Sequence, residues 1–293
     1  MKISPLSLKA PAKINWFLKI FRKREDGYHD IMSFIQSISL YDNLILEYAD
    51  TIEIISDLDI PLNDNLIYKA AYLLKHYTSY KRGAKIVLHK NVPVSAGLGG
   101  GSSDAAYTLM GLNKLWDLRL SNEELSEIGV KIGSDIPFFL NDSCALVEGR
   151  GEVITPFKRD ISHEVVLLLI KPPISISTAW AYSSFDELGF VELTKKTIDI
   201  KLFYKFFVNR DFASLSIMLE NDLEKVVTRK FRIISELKER LQENGALSSL
   251  MTGSGPTVFG VFESEELAID ASRKIGADNW CRVVKTLSPK MHL

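Results

Sequence analysis

Residues 93–106 read PVSAGLGGGSSDAA, with four glycines inside five positions (Gly97, Gly99, Gly100 and Gly101), then Ser102 and Ser103, then an alanine-rich stretch. Glycine lets the backbone take positive φ and lets a ligand approach the main chain. A helix starting here offers free N–H groups and the positive end of its dipole to an anion. The two serines add hydroxyl donors, and a di- or triphosphate suits that combination. Two familiar phosphate loops fail: Ser-Ser-Asp stands where Walker A needs Lys-Ser or Lys-Thr, and Ser102 stands where the dinucleotide fingerprint needs glycine. The competing reading is a turn with no ligand, but four clustered glycines at a helix start are costly for stability.

Three further segments carry candidate chemistry. Residues 252–257, TGSGPT, form a second glycine turn between two strands; PAKIN (Pro11 to Asn15) sets Lys13 at the mouth of a strand; GSDIP sets Asp135 in a short connection. Taken singly, the first reads equally as a hairpin turn, while Lys13 reads as a solvated charge and Asp135 as a cap.

The elements that must position them follow from periodicity. Strands are expected at Ile14 to Ile20 and Ile31 to Leu40, with Leu44 to Tyr48 and Thr51 to Ile55 as a hairpin, all rich in β-branched and aromatic residues. A helix capped by Asn65 comes next, then a strand from Ala84 to His89 and a helix from about Ser103 to Trp116. Ser121 and Glu124 form a capping box for a third helix, with Gly133 as its left-handed stop. The polar stretch 156–163 places a domain boundary, giving 1–158 and 159–293. Beyond it, Val165 to Ile170 is a buried strand. Helices are expected at Ser177 to Leu188, Ile200 to Arg210, Ser214 to Leu219 and Lys230 to Glu243. Strands Leu247 to Met251 and Thr257 to Phe262, a helix Glu265 to Ile275 and a strand Trp280 to Leu287 close the chain. This interleaving suggests an α+β sandwich of the ferredoxin-like kind for the second half.

Composition narrows the classes. The chain is 293 residues with 46% hydrophobic and 25% charged residues, and 36 Lys plus Arg against 37 Asp plus Glu. Near-neutral charge argues against coating nucleic acid or an anionic membrane. Its longest aliphatic run falls far short of the ~20 residues a span needs, and Ile3 to Leu18 reads as fold rather than as a targeting signal. Cys144 and Cys281 are too far apart for a zinc knuckle or redox pair, and the five histidines lack ligand spacing. A cytoplasmic protein with no nucleic-acid or membrane partner is expected, monomer or homodimer.

Together, PAKIN, PVSAGLGGGSS and MTGSGPTVF resemble the GHMP kinase superfamily, in matching order across almost the whole chain. GYHDI (Gly27 to Ile31), GLGGGSSDAA, GSDIPFF (Gly133 to Phe139) and GRGE (Gly149 to Glu152) resemble the branch whose alcohol substrate carries a cytidylyl group. The resemblance implies a two-domain GHMP kinase fold: an N-terminal domain like the second domain of ribosomal protein S5 and a ferredoxin-like C-terminal domain, with ATP and a small-molecule cytidylyl substrate meeting between them. The reaction implied is transfer of the ATP γ-phosphoryl to the 2-hydroxyl of a methylerythritol unit. Other members, acting on homoserine, mevalonate derivatives or sugars, are the alternative; an RNA-binding S5-like module is a more distant one.

The resemblance also assigns residues. Asp135 becomes the general base and Lys13 its charge partner. Pro93, Val94, Ser95, Ala96, Gly97, Leu98, Gly99, Gly100, Gly101, Ser102 and Ser103 become the ATP phosphate loop, with Asn65 and Leu66 near adenine. Asn15 donates to the substrate's polar tail; Tyr28 and His29 hold the cytosine, and Thr178 and Tyr182 form the opposite wall. Mg2+ is implied. Ser103 is available to it, but its ligand set is unassigned.

Overall fold

The computed structural model describes residues 4–58, 60–141, 143–157, 164–189 and 198–288. Two long strands, β1 (Leu6–Lys23) and β2 (His29–Ala49), run antiparallel, and their register shifts between Pro11 and Ala12 and between Asn15 and Phe17. Residues 10–20 of β1 are buried without alternation, as happens when both faces of a sheet are covered. One edge of β2 pairs with β1. Its other edge pairs with β4 (Gly83–His89) through residues 43–49 and with β5 (Cys144–Gly149) through residues 31–36. β6 (Val153–Pro156) extends the sheet beyond β5.

Several sequence expectations change here. Residues 40–44 do not break β2, because the polar Asp42 is satisfied there by the backbone N–H groups of Asn91 and Val92 and by Lys90. The hairpin expected from Leu44 to Ile55 does not form. β3 (Ile52–Ser56) pairs parallel with β4 instead, after a crossover through α1 (Leu66–Thr78), so β4 lies between β3 and β2. Local alternation marks a strand but not its partner. Asn65 caps α1 as expected, its Oδ1 accepting from Ile67 and Tyr68. The glycine-rich helix, α2 (Gly100–Leu115), starts three residues earlier than its apolar spacing indicates. α3 (Asn122–Gly129) carries both bonds of the capping box. It stops at Gly129 without a left-handed residue, so Gly133 is not its terminator. α4 (Ile136–Asn141) follows. These helices cover one face of the sheet, packing Leu74, Leu109, Leu112, Ile128 and Phe138 against Leu44, Leu46, Ile86 and Leu88.

The second sheet runs β10 (Trp280–Lys285), β7 (Val166–Lys171), β9 (Val258–Phe262), β8 (Ser248–Met251), all antiparallel. In chain order this is 4-1-3-2, the ferredoxin-like arrangement expected. Helices α5 (Thr178–Glu187), α6 (Ile200–Val208), α7 (Phe212–Ser216), α8 (Glu224–Lys230) and α9 (Ile233–Glu243) lie between β7 and β8, and α10 (Glu265–Ile275) between β9 and β10. The β5–β6 pair and α8 escape sequence reading because each is short and irregular in period. The boundary at 158/159 lies outside the described residues. No described helix is long and apolar enough to cross a membrane.

The free face of the first sheet is sealed against the second half. Trp16 is fully buried and meets Phe207 and Phe259 edge-on at centroid distances of 5.3 and 5.7 Å; such pairs add ~0.5–1.5 kcal/mol each beyond burial. Leu18 exchanges backbone bonds with Glu220 and Asp222, and the fully buried Asp222 carboxylate accepts from Ile20 N–H at 2.9 Å and from Lys19 at 3.3 Å. Removing one member of a buried charged cluster leaves the others unpaired. Asp222→Ala should therefore cost ~3 kcal/mol in urea unfolding; a loss within experimental error would mean that this latch does not hold the halves together.

Candidate active site

Lys13 and Asn15 stand two residues apart on β1 and so share a face. Lys13 is buried, and a buried ammonium needs partners. Its Nζ donates to Asn15 Oδ1 at 2.6 Å and lies 3.5 Å from Asp135 Oδ2. Asn15 is held in turn, its Nδ2 donating to Ser33 Oγ at 2.8 Å and its backbone N–H to Thr252 Oγ1 at 3.0 Å. Asp135, just before α4, keeps 35% of its side chain exposed, so one anionic group faces the cleft beside a cation held in place. The pairing of Lys13 with Asp135, separated by 122 positions, is the one the sequence expectation required.

The phosphate loop lies directly against this pair. Lys13 N–H donates to Leu98 carbonyl oxygen at 2.9 Å. At Gly97 (φ +75°), a Cβ would fall 2.2 Å from Thr252 carbonyl oxygen. The two glycine turns therefore nest main chain to main chain, and Thr257 N–H also reaches Ala96 carbonyl oxygen. Gly99, also at positive φ, is the residue before α2, whose first turn is Gly100, Gly101, Ser102 and Ser103. A cavity of about 700 Å3 opens over it, lined by residues 93–102, Asn65, Leu66, Lys13, Asn15, Asp135, Thr178 and Tyr182. Ser103 does not line it; it is fully buried, with a hydroxyl that has no hydrogen-bond partner.

A buried charge cluster, not anticipated from the sequence, anchors the loop from below. Lys90 bridges Asp42 and Asp104, 2.7 Å from the latter. Burial pushes the Asp104 carboxyl up to about 7; Lys90 opposes this and Asp42 reinforces it. Asp42 and Lys90 thus tie the entrance of the loop to its exit in α2. Among the described residues no group of three or more His, Cys, Asp or Glu side chains is placed to hold a metal ion.

α5 supplies the opposite wall. Thr178 Oγ1 bonds Ser254 Oγ at 2.8 Å, so α5 and the second glycine turn are tied together. Tyr182 stacks on His29, with centroids 5.1 Å apart and planes 30° apart. Burial, with a contribution from the Asp135 carboxylate, holds the Tyr182 hydroxyl above the usual phenol range. That stack leaves no room for a base between His29 and Tyr182. Tyr28 stands apart, its ring half-exposed and covered on one face by the Arg150 guanidinium at 4.9 Å. Neither Tyr28 nor His29 lines the main cavity.

Asp186, one turn beyond Tyr182, was missed by sequence reading. Its Oδ1 is 2.6 Å from His29 Nε2 and its Oδ2 2.7 Å from Lys23 Nζ. Burial works to raise its carboxyl, but the bonds from Lys23 and His29 outweigh this and hold it low. The spacing 178, 182, 186 on a single helix face is the signal that finds it.

Residues 65–142 match the family model for the GHMP kinases N terminal domain, and residues 201–280 that for the GHMP kinases C terminal domain. The 4-diphosphocytidyl-2-C-methyl-D-erythritol kinase of Thermodesulfovibrio yellowstonii is 48% identical over 96% of this chain and 98% of its own length. The enzyme of the same name from Alkaliphilus oremlandii is 44% identical over 90% of each. A crystal structure of 4-(cytidine 5'-diphospho)-2C-methyl-D-erythritol kinase superposes with a TM-score of 0.79 at 27% identity, covering 96% of this chain and 99% of that one. The homoserine kinase of Cytophaga hutchinsonii shares the fold, with a TM-score of 0.74 at 16% identity over 99% and 98% of the two chains. Nested glycine loops, a buried lysine beside a cleft-facing aspartate and these likenesses lead to one assignment: the chain belongs to the GHMP kinases, in the family whose curated members are named 4-diphosphocytidyl-2-C-methyl-D-erythritol kinase.

Proposed function

We propose that this chain transfers the γ-phosphoryl group of ATP to the 2-hydroxyl of 4-diphosphocytidyl-2-C-methyl-D-erythritol, giving the 2-phosphate and ADP, a step of non-mevalonate isoprenoid precursor synthesis in the cytoplasm. The observation that carries this reading is the Lys13–Asp135 pair, 3.5 Å apart, opening on the same cavity as the glycine-rich start of α2. Phosphoryl transfer asks a protein mainly to position the reactants and stabilise charge, and alignment of two bound reactants supplies ~7–11 kcal/mol of the barrier. The triphosphate lies along the main chain of residues 97–103, its anionic oxygens toward the helix N-terminus. Asp135 accepts the proton of the 2-hydroxyl as its oxygen bonds to the γ-phosphorus and the bond to ADP breaks. Lys13, fixed by Asn15, keeps positive charge beside the developing alkoxide.

Adenine is read near Asn65 and Leu66. Because the Asn65 carbonyl oxygen is spent on the helix cap, its amide N–H2 is the group free to meet the base. Mg2+ in nucleotide-dependent kinases takes phosphate and water oxygens plus one or two protein oxygens. Asp104, which lines the cavity and whose Oδ1 has no hydrogen-bond partner, fits that requirement better than the fully buried Ser103 off the cavity wall, and Mg2+ held there would offset phosphate charge. On the substrate side, the closed His29–Tyr182 stack supports a cytosine resting against the outer face of this pair, toward Tyr28, rather than between the two rings.

Two variants test the assignment in purified enzyme. Asp135→Asn should lower kcat by at least ~10²-fold with ATP affinity nearly unchanged; an unaltered kcat removes Asp135 from the chemistry. Tyr182→Ala should raise KM for the cytidylyl alcohol by ~5- to 100-fold, the worth of one base–aromatic stack. A change confined to KM for ATP would refute the pocket assignment.

A further inference from the structure

The GRGE turn, residues 149–152 between β5 and β6, has no part in the mechanism above, yet it is built as a rigid support for one side chain. Gly149 and Gly151 both take positive φ, at +70° and +123°. Glu152 folds back so that its Oε2 accepts the Arg150 backbone N–H at 2.7 Å. The turn is braced against the loop that carries the catalytic aspartate: a Cβ on Gly151 would fall 3.0 Å from Ser134 Cβ and 3.1 Å from Ser134 carbonyl oxygen. Arg150 projects from this support over Tyr28, with its guanidinium 4.9 Å from the ring centroid.

Among the described residues its charge has no carboxylate partner. The nearby Arg22 and Arg24 both pair with Asp30, and Arg24 also with Asp26. Arg150 forms no ion pair with any described residue. Glu152, two residues on, is committed to the backbone of the turn. Arg150 is therefore a half-buried cation stacked on Tyr28, carried by a turn whose Gly151 packs against Ser134, the residue before Asp135.

We propose that Arg150 receives the diphosphate of the cytidylyl substrate, making the β5–β6 turn a diphosphate-reading subsite. This rests on the substrate assigned above, in which cytosine and the reacting alcohol are joined through a ribose and a diphosphate. With the base at the aromatic pocket and the hydroxyl at Asp135, the diphosphate spans the distance between them, and Arg150, stacked on Tyr28 and carried by a turn packed on Ser134, is a cation available to it. A guanidinium is suited to the task because its planar fork meets two phosphate oxygens at once while its face stays stacked on an aromatic ring. The Tyr28 stack would hold the fork in place before substrate arrives, so less side-chain freedom is lost on binding.

Calorimetric titration of the full chain with CDP and with CMP tests this, because the two ligands differ only in the second phosphate. Wild type should bind CDP at least tenfold more tightly than CMP. Arg150→Gln should bring that ratio to about two or below while leaving CMP affinity and KM for ATP within twofold of wild type. A ratio preserved in Arg150→Gln, or an equal loss for CDP and CMP, overturns the proposal; the second pattern would mean that Arg150 only supports Tyr28. Should the glutamine variant not fold, Arg150→Lys decides, since it keeps the charge but loses the fork: a ratio at least halved supports the subsite, and an unchanged one overturns it. Turnover of the cytidylyl alcohol by wild type is measured alongside. Its absence would refute the substrate assignment, whereas an unchanged CDP-to-CMP ratio in an active enzyme refutes only the role of Arg150.

Discussion

A lysine taken out of water midway along β1 sets the terms for everything around it. Lys13 is stabilised only if oxygens come to it, and three chain segments distant in sequence supply them or hold those that do. Asn15 gives an amide oxygen and is itself held by Ser33 and Thr252; Asp135 gives a carboxylate from the loop before α4. The backbone N–H of Lys13 meanwhile fixes Leu98. One buried charge thus brings together a strand, the glycine-rich loop before α2, the second glycine turn and Asp135. Reactive geometry and fold stability are here satisfied by the same contacts.

The glycine turns show what the sequence could and could not disclose. Their composition pointed to a polyphosphate-binding turn, because glycine clusters of that density have few structural uses, and the turns do line one cavity. Composition did not disclose that the two turns touch, which depends on Gly97 meeting the Thr252 carbonyl across 155 positions. Asp135 and Lys13 were legible only through their motifs, since a lone aspartate and a lone lysine carry no positional information. Asp186 was overlooked although its spacing from Tyr182 was regular, because an acidic residue on a helix usually faces solvent. Asp42, read as part of a break, proved to be a buried anchor whose partners lie near residue 90. Elements with a strong period or a side-chain cap were found to within a few residues. Those that depend on a distant partner, such as β3 against β4, were not.

The aromatic wall needs a narrower reading than its composition suggested. Tyr28, His29 and Tyr182 were expected to enclose a base, but His29 already lies face to face with Tyr182 and is held by Asp186. Imidazole and phenol form one slab, and Tyr28 stands apart from it under the Arg150 guanidinium. Asp186, bonded to His29 and Lys23 together, stiffens that slab from behind.

The latch at Leu18, Asn221 and Asp222 also bears on how the enzyme fills and empties. Backbone pairing, a buried carboxylate and the Trp16 wedge make swinging one half away from the other costly. Asn221 adds to this by holding the carbonyls of Met251 and Gly253, at the rim of the second glycine turn. Parting the two halves would break all of these contacts together, which leaves the turns and side chains at the cavity rim as the parts that can yield with least loss of contact.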